Sequence, residues 1–386
     1  MTINFTLNVI LLIVGIIVGL IAVCSLIIIK PNNQANKYLA ALVLVCVGTL
    51  FHNFLIDTGI YNQKPQLYFL PVILSLGIGP LLYLFINRLI FLKPVRSVQI
   101  LLHLIPVIVQ FLFYAICFVQ DGNTKYEIYS GYYQYLINPI QIIGTYISVA
   151  IYIFLSFNEI NYYKKQLNDF YSNTNKIELQ WLRKLLFVFM SYYILAILFI
   201  VITYSFNLSE NYFPSDFIRC IIIFTIAVYA ANQTTLSRVQ NNIQSISEQK
   251  ADSTSLENEP AAIIEAVIQQ KPKEVNNDLL NKIIAVVESD KLYLNEELTI
   301  ADLANKLGYS TKTISHTINN GLQKSFSLFI NEYRVSLFNA RKSSGKYEHL
   351  SIMGLAYDCG FNSKSTFNRT YKEITGSAPK EQKIQE

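Results

Sequence analysis

The chain shows two different patterns of apolar residues. Residues 1–236 consist of long apolar runs separated by short polar stretches, whereas residues 237–386 place apolar residues at helical spacing among charged ones. Seven runs are long enough to cross a bilayer as a helix, which takes about 20 residues. They cover residues 5–29, 38–56, 67–86, 99–119, 134–157, 185–206 and 217–236. The pattern therefore predicts an all-α protein: a seven-transmembrane-helix bundle followed by a cytoplasmic all-helical domain.

Composition supports a membrane protein. Of 386 residues, 52% are hydrophobic and only 15% are charged, and the mean hydropathy is +0.33. A soluble protein of this size normally carries more charge. The first run has no basic residue before it and no Ala-x-Ala site, so we interpret it as an uncleaved span rather than a signal peptide. The five cysteines have no metal or disulfide spacing, which favours buried structural thiols.

Basic residues between the runs predict the orientation. Alternate loops carry ten of them, against two in the other loops (Lys64 and Lys125). The ten are Lys30, Lys37, Arg88, Lys93, Arg96, Lys164, Lys165, Lys176, Arg183 and Lys184. The positive-inside rule places these loops in the cytoplasm. The N-terminus is then outside, and seven spans leave the C-terminal domain in the cytoplasm, at the bacterial inner membrane.

Polar residues inside the runs allow two interpretations. They include His52, Asn53, Asn87, His103, Gln110, Asn138, Gln141, Arg219 and Asn232. A ligand or proton site is one interpretation, and hydrogen bonds between helices are the one we favour, because no acidic residue lies deep in a predicted run. Pro71, Gly77, Gly79 and Pro80 are candidates to break the third run around a site. No external loop is long enough for a sensory domain, so we expect a stimulus that is small, lipidic or embedded in the bilayer.

Three domains follow from these patterns. Residues 1–236 form the membrane domain, which we expect to sense a signal. Residues 237–277 form a polar linker, and residues 278–386 form the C-terminal domain. Leu236, Val239, Ile243 and Ile246 have heptad spacing, which is compatible with a short dimerising helix or with a loose tether.

The C-terminal domain contains an internal repeat. Residues 300–319 and 352–372 share a fixed offset, with Ile, Leu, Ala and Gly in the same order. The matching positions are Ile300, Leu303, Ala304 and Gly308 in the first copy and Ile352, Leu355, Ala356 and Gly360 in the second. In each copy a short amphipathic helix ends at a Gly, which tolerates left-handed backbone, and a Ser then caps the next helix. Each copy therefore predicts a helix-turn-helix unit.

A long helix and a basic charge surround the repeat. Phe326, Phe329, Ile330, Tyr333 and Leu337 mark one buried helical face between the copies. Residues 304–383 carry 12 Lys and Arg but only 5 Asp and Glu. A local basic excess is typical of a polyanionic partner.

The C-terminal domain resembles the AraC/XylS family of bacterial transcription regulators, and the whole chain resembles its membrane-anchored variety. The residues that carry the resemblance are Leu303, Ala304, Leu307, Gly308, Phe329, Ile330, Arg334, Ile352, Ala356, Gly360, Phe361, Ser363, Phe367, Arg369, Lys372, Thr375, Gly376 and Pro379. The resemblance implies about seven helices and two recognition helices in successive major grooves.

The same resemblance assigns candidate DNA contacts. Base-edge contacts are expected from Lys312, Ser315 and His316 in the first recognition helix and from Lys364, Ser365, Thr366 and Arg369 in the second. Phosphate contacts are expected from Thr311, Asn319, Asn368 and Lys372 and from the amides behind Ser310 and Ser363.

The sequence thus predicts a membrane-bound, sequence-specific transcription regulator that couples a membrane or external signal to gene expression. Expected partners are double-stranded DNA, the lipid bilayer, a second copy on DNA and an unknown small or lipidic ligand. No nucleophile triad, metal cluster or phosphate-binding Gly-rich loop is present, so we expect neither an enzyme nor a cofactor. The alternative is a transporter or channel whose tail is a regulatory or protein-interaction module.

Overall fold

The computed structural model describes residues 6–28, 34–90, 97–173, 180–206, 213–231, 276–347 and 349–379. Within them the protein is helical, and a single β-bridge joins Tyr171 to Thr299. The chain divides into two compact units, residues 1–160 with 179–241, and residues 161–178 with 242–386. The predicted linker lies outside the described residues apart from its last two positions.

The described residues before the linker form nine α-helices: α1 Leu7–Ile28, α2 Gln34–Asp57, α3 Ile60–Gln63, α4 Ile78–Ile90, α5 Ser97–Phe118, α6 Gly122–Ile128, α7 Asn138–Phe170, α8 Gln180–Ser205 and α9 Phe213–Ala231. Two 3₁₀ turns (Pro65–Leu67 and Ser75–Gly77) and a π-helix (Tyr129–Ile137) connect some of them. In the described residues, five helical stretches are long and apolar enough to cross a membrane: Leu7–Ile28, Gln34–Asp57, Val98–Phe118, Gly122–Phe170 and Gln180–Thr203. The count of seven spans stays a prediction.

The third predicted run is not one continuous helix. Its helical part begins only at Ser75–Gly77 and continues as α4. Pro71 has no backbone N–H to donate and Phe69 adopts a left-handed φ of 61°, so the chain before Ser75 cannot continue as a helix. This stretch instead packs closely on α2, where a Cβ at Gly48 would lie 2.2 Å from the Val72 carbonyl oxygen.

Polar residues in the apolar helices form hydrogen bonds between helices. His103 Nδ1 lies 2.9 Å from the Tyr152 hydroxyl, and Asn53 Nδ2 donates to Asp216 Oδ1 over 2.7 Å. Arg219 pairs with the same carboxylate at 3.0 Å. Asp216 is a fully buried acid in the first turn of α9, just before the predicted run that begins at residue 217. Its charge is balanced by Arg219, as a buried acid requires.

Six further α-helices follow the linker: α10 Asn277–Ser289, α11 Ile300–Leu307, α12 Thr311–Leu322, α13 Phe326–Ser343, α14 Ile352–Asp358 and α15 Lys364–Thr375. They enclose two cores. The first is mostly aliphatic and includes Ile283, Leu303, Ile314 and Ile330, whereas the second is aromatic. Helix α13 contributes Phe329 to the first core and Phe338 to the second, so the predicted long helix joins the two repeats.

Candidate nucleic-acid interface

The first helix-turn-helix, residues 300–322, consists of α11, a turn and α12. Thr299 and Asp302 form a reciprocal capping box at the start of α11, and Gly308 ends it with a left-handed φ of 73°. Ser310 then caps α12 by accepting from the Thr313 amide over 3.1 Å. These local devices supply hydrogen-bond partners that helix termini lack, which is why both short helices form.

Helix α12 has a buried face and an exposed face. Ile314 and Ile318 are fully buried in the first core. Lys312 and His316 lie on the exposed face, and His316 Nε2 is 2.8 Å from Asn320 Nδ2. The exposed face carries hydrogen-bonding groups and one lysine, which suits contacts to base edges and phosphates.

The second helix-turn-helix, residues 352–375, repeats the arrangement with α14 and α15. Ser351 caps α14, and Ser363 caps α15 through the Thr366 amide at 3.3 Å. Phe367 is fully buried, with its ring 4.7 Å from that of Phe338. The exposed face of α15 carries three basic residues, Lys364, Arg369 and Lys372.

Most of the predicted contact residues are accessible. Ser310, Lys312, His316, Lys364, Ser365, Arg369 and Lys372 are exposed, and Thr311, Ser315, Asn319, Ser363 and Asn368 are half-buried. Thr366 is the exception and a correction: it is only 2% exposed, and its hydroxyl lies 2.9 Å from Ser363 Oγ. The helical turn that places Phe367 in the core also turns Thr366 inward, so it stabilises the cap and does not read bases.

Two exposed residues on the same face were missed by the sequence analysis. Thr313 lies beside the Ser310 cap, and Asn320 follows His316 by four residues. The spacing Lys312, His316, Asn320 is the i, i+4 series of one helix face and was sufficient to predict Asn320.

A buried arginine fixes the two units relative to each other. Arg334, in α13, is fully buried and donates to the carbonyl oxygens of Tyr293 and Asn295, each over 2.7 Å. Its guanidinium also lies 6.0 Å from the centre of the Phe361 ring in the second core. Burial lowers the pKa of Arg334 to about 10, which leaves it charged at neutral pH.

The turn of the second helix-turn-helix also contributes to the contact between the two helix-turn-helix units. Gly360 has a left-handed φ of 90°, and a Cβ there would lie 2.4 Å from the Tyr293 carbonyl oxygen. Only glycine permits this close approach of two backbones. The recognition helices are therefore held by one shared helix, one buried cation and one turn.

Comparison with known proteins identifies this domain. A family described as "Helix-turn-helix domain", of the AraC type, matches residues 303–383. After this similarity, we refer to the described residues among 276–379 as the AraC-type domain. Uncharacterized HTH-type transcriptional regulators from Staphylococcus aureus strains MSSA476 and N315 are each 28% identical over 107 residues, which is 28% of this chain. The chain covers only 14% of the length of those relatives. No solved structure matches the chain.

The relatives that match this part of the chain are described as HTH-type transcriptional regulators. Among the described residues, no group of three or more His, Cys, Asp or Glu side chains could hold a metal ion. Within the described part of this domain, the arrangement offers two capped recognition helices with basic exposed faces. The chemistry it supports is binding to a polyanion with hydrogen-bonding edges, which is duplex DNA.

Proposed function

We propose that the protein is a membrane-bound, sequence-specific transcription regulator whose AraC-type domain binds DNA in the cytoplasm and whose spans sense a membrane or external signal. The observation that carries the DNA-binding part is the rigid pair of recognition helices with Lys312, Arg369 and Lys372 exposed. Arg369 suits guanine O6 and N7, and Lys372 suits phosphate.

The surface of the compact unit formed by residues 1–160 and 179–241 supports the proposed membrane location. Leu101, Leu102, Ile105 and Val109 of α5 are each 46–60% exposed. Long helices with exposed apolar faces are unfavourable in water and match the hydrocarbon of a bilayer. We infer that these faces contact lipid.

Packing inside the compact unit formed by residues 161–178 and 242–386 supports the proposed orientation in the membrane. Residues 161–173, which comprise the end of α7 and the three residues after it, pack within the same unit as the AraC-type domain. A segment that packs on this domain must lie on the same side of a membrane as the domain. The basic residues Lys164 and Lys165 of this segment support a cytoplasmic location for that side, by the positive-inside rule. We therefore propose a multi-pass protein of the bacterial inner membrane with its N-terminus outside.

Selection of random duplex DNA by the full chain in lipid nanodiscs, at near-physiological salt, tests the proposal. We expect an enriched motif with two half-elements about one helical turn apart. Near-physiological salt matters because a basic domain binds any DNA at low salt. A matched selection with R369A should lose a guanine preference in one half-element. A folded full chain that enriches no motif would contradict the proposal.

A homodimer on DNA belongs to the same proposal. A second copy doubles the number of contacts and raises the apparent affinity without any new kind of contact. Enriched sites that occur as paired copies, and a complex whose mass corresponds to two chains per duplex, are the expected results. A complex with one chain per duplex at saturation would contradict this part.

One observation favours a transporter or channel as a second candidate. The third apolar run is broken, and the break lines a small cavity with Tyr61, Tyr68, Tyr114, Tyr129 and Tyr133 that has room for about one water molecule. Broken helices around a cavity are a feature of transporters. Solute flux in vesicles containing the reconstituted chain, together with an absence of motif enrichment, would favour this candidate.

A further inference from the structure

The segment of residues 161–173 packs into the first core of the AraC-type domain. It contains the last ten residues of α7 and ends 103 residues before the next described residue of its unit, Asn276. Phe170 packs against the core that contains Ile300, Leu303 and Ile330. Sequence analysis treats this segment as a cytoplasmic loop, so its place inside the domain needs a separate explanation.

The contacts of Ser172 are those of a built interface. Ser172 is fully buried, its amide donates to the Leu298 carbonyl oxygen over 3.1 Å, and its hydroxyl donates to the same oxygen over 2.7 Å. Its own carbonyl oxygen accepts from Ser327 Oγ at 3.2 Å and from Asn331 Nδ2 at 3.3 Å. Because the amide, hydroxyl and carbonyl groups of Ser172 are all hydrogen-bonded, the contact is specific and not the result of nonspecific packing.

The same serine contacts the residue that joins the two helix-turn-helix units. Arg334 Nη2 donates to Ser172 Oγ over 3.1 Å. A β-bridge from Tyr171 to Thr299, the cap residue of α11, extends the contact toward the first helix-turn-helix. The segment therefore contacts the cap of α11 and the cation that holds the units together.

The segment also contacts the first recognition helix itself. Asn319 of α12 is a side-chain hydrogen-bond partner of Asp169, and this contact counteracts the rise in the pKa of Asp169 that burial causes. Asn319 is one of the predicted phosphate contacts, and a carboxylate beside it repels phosphate. Docking of the segment and phosphate binding by α12 therefore compete for the side chain of Asn319.

We propose that residues 161–173 are a docking element that, when seated on the first helix-turn-helix, opposes DNA binding by α12 and links the state of the flanking helices to the domain. This inference rests on the proposed function. Because α7 runs directly into this segment, a signal that moves α7 is transmitted along the helix to Asp169 and then to Ser172. Release frees Asn319 for phosphate and removes the adjacent negative charge.

The test uses the full chain in nanodiscs with two variants and two matched controls. S172A removes a hydroxyl that bonds Leu298 and Arg334, and D169N removes the charge while it keeps the side-chain shape. S289A and D278N make the same changes at exposed positions of the same domain. Binding is measured on the duplex that the wild-type chain enriches, at fixed salt.

We expect S172A to bind that duplex about tenfold more tightly and D169N to bind it severalfold more tightly, with both controls close to wild type. Coupling of this size is typical of linked sites. Unchanged or weaker binding by both variants overturns the proposal.

A second measurement does not depend on DNA. Hydrogen exchange of S172A should be at least tenfold faster in residues 167–172 and 298–303, while exchange in α14 and α15 stays at the wild-type rate. Uniform loss of protection across the domain would make the segment a simple part of its core and would overturn the regulatory role. If wild type binds no duplex yet the exchange result is as expected, the proposed function fails while the docking itself is established.

Discussion

The two helix-turn-helix units share one design but differ in what surrounds them. The first has an aliphatic core, an open turn at Gly308 and one lysine on its recognition helix. The second has an aromatic core, a tightly packed turn at Gly360 and three basic residues on its recognition helix. Residues 161–173 contact the first core, the cap of α11, Asn319 of α12, and Ser327, Asn331 and Arg334 of the shared helix α13. The difference teaches that duplicated motifs can divide their tasks, with affinity placed in the second unit and control in the first.

The largest expected effect comes from the two turns. Alanine at either glycine forces a left-handed φ, which costs roughly 1–2 kcal/mol. G360A should lose a further amount of about 1–3 kcal/mol, because its Cβ overlaps the Tyr293 carbonyl oxygen, whereas Gly308 has no heavy atom within 4 Å of its Cβ position. The free energy of opening of α13, from hydrogen exchange in the full chain, measures the difference. Equal losses in G308A and G360A would show that the second turn is not the tighter one.

The second-largest expected difference between the two recognition helices is in their recognition of DNA bases. R369A should cost about 1–3 kcal/mol in binding to the enriched duplex and relax the preference at one position. H316A should cost less, because the ring of His316 is already hydrogen-bonded with Asn320 and has less capacity left for a base edge. Competition with duplexes that carry single-base changes measures both variants. A larger loss of discrimination in H316A would reverse the assignment of affinity to the second unit.

Phosphate contacts should respond in a different way. K372A should weaken binding to all duplexes by a similar factor and lower the slope of log affinity against log salt by about 1. K312A is the counterpart in the first unit, and we expect a smaller change in slope if the docked segment keeps α12 from DNA. Affinities of wild type and both variants at four salt concentrations decide the matter. A K312A slope change as large as that of K372A would indicate that both helices engage phosphate equally.

The smallest effect concerns one surface ion pair in each unit. Lys306 of α11 pairs with Asp290, and Asp358 of α14 pairs with Arg341. Hydrogen bonds from Lys306 and Ser289 hold the pKa of Asp290 below its usual value. A lowered pKa in the folded state contributes stability above the unfolded pKa of about 3.9, and this contribution disappears as pH falls through the folded pKa.

We therefore expect D290N to be slightly less stable than wild type at neutral pH and equal to it in acid. The pair is exposed, so the difference should also shrink with added salt. Thermal unfolding of the AraC-type domain at pH 7 and pH 3, at low and high salt, tests this. A difference that persists at pH 3 would mean that Asp290 acts through packing and not through its charge.

Much of the interface followed from local sequence. The serines at 310 and 363 and the glycines at 308 and 360 act at the positions where the repeat predicted caps and left-handed turns. Such features depend on a few neighbouring residues, so they are readable from one chain. Thr366 was misassigned because helical period alone does not show how far the buried face extends to either side of Phe367.

The sequence alone determined that the chain has an apolar helical part and a C-terminal part with a duplicated helix-turn-helix and a local basic excess over residues 304–383. Hydrophobic period, caps and turns are local properties and can be identified from the sequence. Tertiary structure decided where the third apolar run breaks, which partners surround Arg334 and that residues 161–173 pack on the AraC-type domain. Ser172 and Arg334 are separated by 162 residues. Contacts over such distances, several of them to backbone carbonyl oxygens that every residue type carries, leave no periodic trace in a sequence.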